Sequence, residues 1–305
     1  MFIRVLNLFF PSGYRFGEKV SIMTCIMKNL MVTMPLHLQF GIEYLKQKFN
    51  KMKNKKPLIL VVNDDGLKSN GINLLTNIVR ELGEVFVVAP SENKSAVSHG
   101  MTLYKDIVIE RMNNNEFTCS GTPVDCVKLA IDKILPRTPD LCVSGINHGS
   151  NHSINSLYSG TLHGAMEATI HGVPSLSFSH LSYDESKTFK DYKPVIKQII
   201  SSVLINGLPE SVTLNINIPD VDSNNLKGIK LCNQAQGKWT EDYILSKKEG
   251  SKDYYKLNGA FEHDITDIKS DAWALENKFI SVVPIHLDCS VFQQNKFLKY
   301  LEYDF

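Results

Sequence analysis

The 305-residue chain carries 33 basic and 32 acidic side chains, a formal net charge of +1, and 43% hydrophobic residues. That balance excludes a strongly basic nucleic-acid groove and matches an ordinary globular composition, long enough for one large domain or two small ones. The six cysteines (Cys25, Cys119, Cys126, Cys142, Cys232, Cys289) form no C-x-x-C pair, and several sit in apolar runs. They read as reduced thiols of a cytoplasmic protein.

Residues 1–51 differ from the rest: apolar, methionine-rich, with Glu18 and Glu43 as acids and no clear period. A signal peptide or membrane span is the obvious candidate. The longest uncharged run, Asn29–Ile42, is 14 residues and contains Pro35, whereas a spanning helix needs about 20. No small-residue cleavage site follows a clean apolar region. Met52 opens MKNKKPLILVV, so the expected natural start is Met52, with 1–51 an unstructured upstream extension. The alternative is a loosely ordered or membrane-surface segment.

Leu58–Val62 is a continuous apolar run, the pattern of a strand buried on both faces of a parallel sheet. It ends in Asn63-Asp64-Asp65-Gly66, where an open α/β sheet places its ligand crevice. Two adjacent carboxylates repel, and a bound cation keeps both ionised. Magnesium and manganese suit such oxygen ligands. An ordinary Asp-Gly turn accounts for the same residues.

Asn70 is expected to cap a helix with Ile72, Leu75, Val79 and Leu82 inward, stopped by Gly83. Glu84–Ala89 reads as a second buried strand, completing a βαβ unit that puts the Pro90–Ser95 loop on the NDDG edge. Met101–Glu110 and Glu116–Ser120 look like strands around Asn113–Asn115. Gly121-Thr122-Pro123-Val124-Asp125 starts a helix with Thr122 as cap, Pro123 in the first position and Asp125 completing the cap. Val124, Val127, Ile131 and Ile134 are expected to face the core. A strand at Asp140–Ser144 leads into Gly145-Ile146-Asn147-His148-Gly149.

Tyr158-Ser159-Gly160-Thr161 precedes a helix with Leu162, Ala165, Met166, Thr169 and Ile170 inward. Unpaired N–H groups there suit an anion; plain capping by Ser159 or Thr161 fits equally well. A strand at Val173–Phe178 follows. No G-x-G-x-x-G or G-x-x-x-x-G-K-[ST] is present, so dinucleotide and P-loop readings lack their fingerprints. Beyond Ser179 a helix at Tyr192–Leu204 precedes strands at Val212–Ile218, Gly228–Cys232, Tyr254–Leu257 and Phe279–Val283. This strand-rich tail suits pairing with another subunit.

Five motifs in order, VVNDDG, VVAP with NKSAVSH, GTPVDCVKLAI, VSGINHGSN and YSGTLHGAMEA, followed by SVVPIHLD, resemble the SurE (survival protein E) family of metal-dependent nucleotidases. The resemblance covers roughly residues 55–288. It implies one divalent metal ion per subunit, magnesium or manganese, held by Asp64, Asp65, Ser95 and Asn147. Asp64 and Asp65 would be catalytic, and Ser159, Gly160 and Thr161 would bind phosphate. The family usually has glycine after the serine, where this chain has Ala96; a methyl at positive φ costs about 1 kcal/mol. His163 is not a position fixed by the family. His99 and His148 read first as surface or hydrogen-bonding residues, with His148 as a possible general acid for the leaving nucleoside.

The fold expected is a Rossmann-like three-layer α/β/α core with a mostly parallel sheet over 52–228, plus a β-rich C-terminal oligomerisation extension over 229–305. The resemblance implies a cytoplasmic homodimer or homotetramer, without membrane attachment, that hydrolyses nucleoside 5′- and 3′-monophosphates. The alternatives are a broad acid phosphatase or exopolyphosphatase, or a non-catalytic nucleotide-binding protein.

Overall fold

The structure, a computed structural model, describes residues 56–290. The readings for residues 1–51 and for a start at Met52 lie outside them. Strand β1 (Leu58–Val62) is buried throughout. Its side chains alternate between two cores, as the pleat requires. Ile59 and Val61 join residues of helices α1 (Asn70–Arg80) and α4 (Lys193–Asn206) on one face. Leu58, Leu60 and Val62 join residues of α2 (Pro123–Leu129) and α3 (Gly160–Ile170) on the other. This gives the expected three layers.

The remaining strands are β2 (Glu84–Pro90), β3 (Ile109–Arg111), β4 (Glu116–Cys119), β5 (Leu141–His148), β6 (Ser175–His180) and β7 (Val212–Ile218), then β8 (Gly228–Leu231), β9 (Gly237–Glu249), β10 (Lys252–His263) and β11 (Phe279–His286). A short helix α5 (Asp271–Glu276) precedes β11. The central sheet runs β3-β4-β2-β1-β5-β6-β7-β11-β8. From β4 to β7 every pairing is parallel. Strand order reverses between β1 and β5, and that switch point opens a crevice at the carboxyl ends of both.

Strands β8 and β11, both reaching past residue 228, extend this same sheet. Only β9 and β10 stand apart, as a two-stranded antiparallel sheet.

Several local expectations are corrected. Ser69, not Asn70, caps α1 by accepting from the Ile72 N–H, while the Asn70 amide donates to the Glu185 carbonyl. Helix α1 ends at Arg80 with Glu81 as its C-cap, ahead of Gly83. Residues 101–108 are not a strand, and pairing with β4 begins only at Ile109. On α3, Ile170 is exposed and Glu167 is buried, the reverse of the apolar expectation. Lys128, His99 and His171 surround the Glu167 carboxylate and compensate its burial. Strand β9 was not anticipated because its charged residues face solvent on both sides.

The Thr122–Asp125 capping box and Pro123 at the helix start are as expected. Cys119, Cys126, Cys142 and Cys232 are buried free thiols.

Candidate active site

Asn63 shapes the turn after β1. Its amide donates to the Gly66 carbonyl and Ser69 Oγ, both at 3.0 Å, and its Oδ1 accepts from the Gly66 N–H at 3.2 Å. The turn presents Asp64 and Asp65 to a cavity of about 1180 Å³, which Ser95, Asn147, His148 and Ser159 also line. Residues from β1, the β2–β3 loop, β5 and the cap of α3 therefore converge on one crevice.

Asp64 is only 3% exposed. Burial first, and the neighbouring Asp65 charge second, push its carboxyl up to about 7, against the hydrogen bond from the Thr161 hydroxyl. The Thr161 hydroxyl donates to Asp64 Oδ1 at 2.5 Å and is itself fully buried. Gly160 permits this approach: a Cβ there would stand 2.9 Å from Asp64 Oδ2 and 3.0 Å from Asp64 Cβ. Thr161 and Gly160 thus support Asp64 and are absent from the cavity wall, whereas Ser159 is on it. The Ser159 hydroxyl caps α3 by accepting from the Leu162 N–H at 2.9 Å.

Asp65 Oδ2 is buried with no hydrogen-bond partner. His148 Nδ1 lies 3.8 Å away, too far for a hydrogen bond. Asp65 holds the His148 imidazole above its ordinary value, against burial, and the ring packs on Phe189 at 4.7 Å. The Asn147 amide nitrogen donates to the Gly149 carbonyl at 2.7 Å, so its oxygen is the atom left for a ligand.

Ser95 is exposed; its hydroxyl donates to Asn93 Oδ1 at 2.6 Å. Its loop is tied down on both sides. The Lys94 N–H donates to the Asp64 carbonyl at 2.8 Å, and the Ser98 N–H to the Tyr158 carbonyl at 3.1 Å. Between them Ala96 adopts φ +59°, the left-handed conformation the glycine comparison implied. His99 Nε2 lies 2.8 Å from Glu167 Oε2 and its ring meets His163 edge-on at 5.1 Å, so His99 is a structural hydrogen-bonding residue.

These donors fit a hard divalent cation. A buried and a half-buried carboxylate, the second with an orphaned oxygen, stand beside a hydroxyl and an amide oxygen, the ligand chemistry magnesium and manganese take. Among the described residues there is no cluster of three or more His, Cys, Asp or Glu that could hold a metal, so a site here must draw on neutral oxygens.

Sequence reasoning did not select Asn63, Tyr158, Tyr183, Glu185, Trp239 or Leu257, of which all but Asn63 line the cavity. Asn63 was legible as the first residue of NDDG and Tyr158 as the first of YSGT; the others come from loops and a hairpin without a motif.

The profile described as Survival protein SurE matches residues 59–241. The 5′-nucleotidase SurE of Flavobacterium psychrophilum is 48% identical over 238 residues, covering 76% of this chain and 93% of its own. The 5′-nucleotidase SurE of Bacteroides thetaiotaomicron is 38% identical over 246 residues, covering 79% and 94%. The crystal structure of SurE protein from Aquifex aeolicus aligns with a TM-score of 0.72 at 38% identity, covering 81% of this chain and all of that one. By sequence and by fold, the chain belongs to the SurE family.

Proposed function

We propose that this chain is a metal-dependent phosphomonoesterase that hydrolyses nucleoside 5′- and 3′-monophosphates to nucleoside and phosphate. The observation that carries the reading is the convergence of Asp64, Asp65, Ser95, Asn147 and Ser159 on one cavity at the sheet's switch point. The names of the curated relatives, 5′-nucleotidase SurE, support the 5′-nucleotidase part of this reading.

Asp64, Asp65, Ser95 and Asn147 would hold magnesium or manganese, whose positive charge would polarise the phosphoryl group and stabilise the leaving oxygen. The chain's own residues do the rest. The Ser159 hydroxyl and the first N–H groups of α3 bind the remaining phosphate oxygens, where the helix dipole favours negative charge. The Thr161 hydroxyl donates to Asp64 and orients it, so Gly160 and Thr161 serve the phosphate through the backbone of the helix end they form. Asp65, the less constrained carboxylate, takes the proton of the attacking water. Gly160, by lacking a side chain, keeps the anion-binding helix end against the carboxylates.

We also infer a cytoplasmic homodimer or homotetramer built through the C-terminal extension. Support comes from the β9–β10 hairpin, which exposes Tyr243, Ile244, Tyr255 and Leu257; a lone two-stranded sheet is marginal in water without a covering surface. No described helix is long and apolar enough to cross a membrane.

Phosphate release from 5′-AMP, 3′-AMP and tripolyphosphate tests the reading. Hydrolysis of the monophosphates is expected; release from tripolyphosphate alone would transfer the assignment to an exopolyphosphatase.

A further inference from the structure

The cavity is larger than a phosphate and a metal ion require, and two of its walls are aromatic. Tyr183 lies three residues beyond β6, and its ring rests on Gly149. A Cβ at Gly149 would stand 2.5 Å from the ring's Cε1 and 2.9 Å from Cδ1, so the missing side chain lets the ring settle on bare backbone. That backbone is pinned: the Gly149 N–H donates to the His180 and Ser182 carbonyls, each at 2.9 Å. The Gly149 carbonyl accepts from Asn147, one of the site residues. Yet Tyr183 remains 70% exposed. One side of the ring is supported by rigid chain beside the site, and most of its surface meets no protein.

Trp239, on β9, lines the same cavity and is 40% exposed. Its indole N–H donates to Asn155 Oδ1 at 2.8 Å, and its ring packs against Phe261 at 5.4 Å. This ring too is fixed in place with part of its surface open.

We propose that Tyr183 is the stacking platform for the nucleobase of the substrate, with Trp239 as a second aromatic wall. The inference rests on the nucleotidase reading and specifies which residues hold the part of the nucleotide that does not react. A phosphate site alone distinguishes no nucleotide from a sugar phosphate. A preorganised aromatic face does, because every base offers a π surface and stacking needs no hydrogen-bond code. It follows that the enzyme tolerates different bases while preferring nucleotides to phosphorylated sugars.

The test compares AMP with ribose 5-phosphate, which differ by the base, using the full-length protein, Tyr183→Ala and Tyr183→Phe. Tyr183→Ala is expected to raise KM for AMP about tenfold, within the range found when a stacked aromatic is removed, with kcat changed less than about twofold. KM for ribose 5-phosphate stays constant, and Tyr183→Phe retains the unmodified protein's values. Inhibition by adenosine weakens in Tyr183→Ala, and inhibition by inorganic phosphate does not. An AMP KM unmoved by Tyr183→Ala, or a loss shared equally by both substrates, would overturn the inference. Failure of the unmodified protein to hydrolyse AMP would instead overturn the nucleotidase reading, before any variant is compared.

Discussion

The Thr161 hydroxyl and Asp64 Oδ1 lie 2.5 Å apart, joining the first turn of α3 to the end of β1. Both residues are buried, so water does not replace a lost partner. Thr161→Val keeps the volume and removes the donor. A hydrogen bond to a charged group is worth about 1.5–3 kcal/mol, which predicts a loss of about tenfold or more in kcat/KM for AMP. Thr161→Ser should recover most of it; unchanged kinetics in the valine variant would show that Asp64 does not depend on this contact.

Glu167 is the buried hub of a second network, with Lys128 at 3.1 Å and His99 at 2.8 Å. Burial alone would raise its carboxyl, but the His99 and Lys128 hydrogen bonds together outweigh that and hold it at about 2. Its folded value lies below the unfolded one, so its stabilisation is complete above about pH 4.5 and disappears as pH falls towards 2. Glu167→Gln should therefore destabilise by about 2 kcal/mol at neutral pH, with the gap closing in acid. Urea denaturation at pH 7 and pH 3.5 measures this; an equal gap at both would refute the assignment.

His152 works in the opposite chemical sense. It is buried beside His263, with their rings 5.0 Å apart, and neither His152 nitrogen has a partner. Burial first, then the His263 charge, lowers its pKa to about 4. The unfolded chain therefore binds a proton between about pH 6.5 and 4 that the folded chain refuses. Stability contributed by neutral His152 is intact above that window and falls as the pH drops through it. At pH 5 the loss from this residue is about 2 kcal/mol relative to pH 7. His152→Leu should flatten that part of the profile, and an unaltered slope would exclude His152 as its source.

Ala96 holds φ +59° beside Ser95. An L-residue there costs about 1–2 kcal/mol, partly offset by the greater unfolded entropy of glycine. Ala96→Gly should raise stability by about 0.5 kcal/mol and leave kcat within about twofold. A large fall in activity would mean that the methyl itself holds the Ser95 loop.

Much of this arrangement was legible because single strands and caps encode it locally. The Leu58–Val62 run could only be a strand buried on both faces, and Thr122-Pro123-x-Asp125 could hardly be anything but a helix start. The hydroxyl bond from Thr161 to Asp64 was not legible, because the two residues lie 97 positions apart. Glu167 escaped for the same reason: its burial depends on Lys128 and His99, residues of a different helix and a loop. Strand β9 lacks the alternation of a half-buried strand, since it pairs only with β10 and covers no core. Tyr183 and Trp239 carry no motif; only the folded chain brings them to the cavity that holds Asp64.

The most direct test of the account is phosphate release from AMP by the full-length protein and its Asp64→Asn variant, each with manganese, magnesium or EDTA, alongside thermal melts. The account predicts metal-dependent release by the unmodified protein that EDTA abolishes, and no release by the variant. In EDTA the variant should melt no lower than the unmodified protein, because the substitution removes a buried, mutually repelling carboxylate. Release that persists in EDTA, or in a folded Asp64→Asn protein, would contradict the central claim that the Asp64–Asp65 pair is the seat of the chemistry.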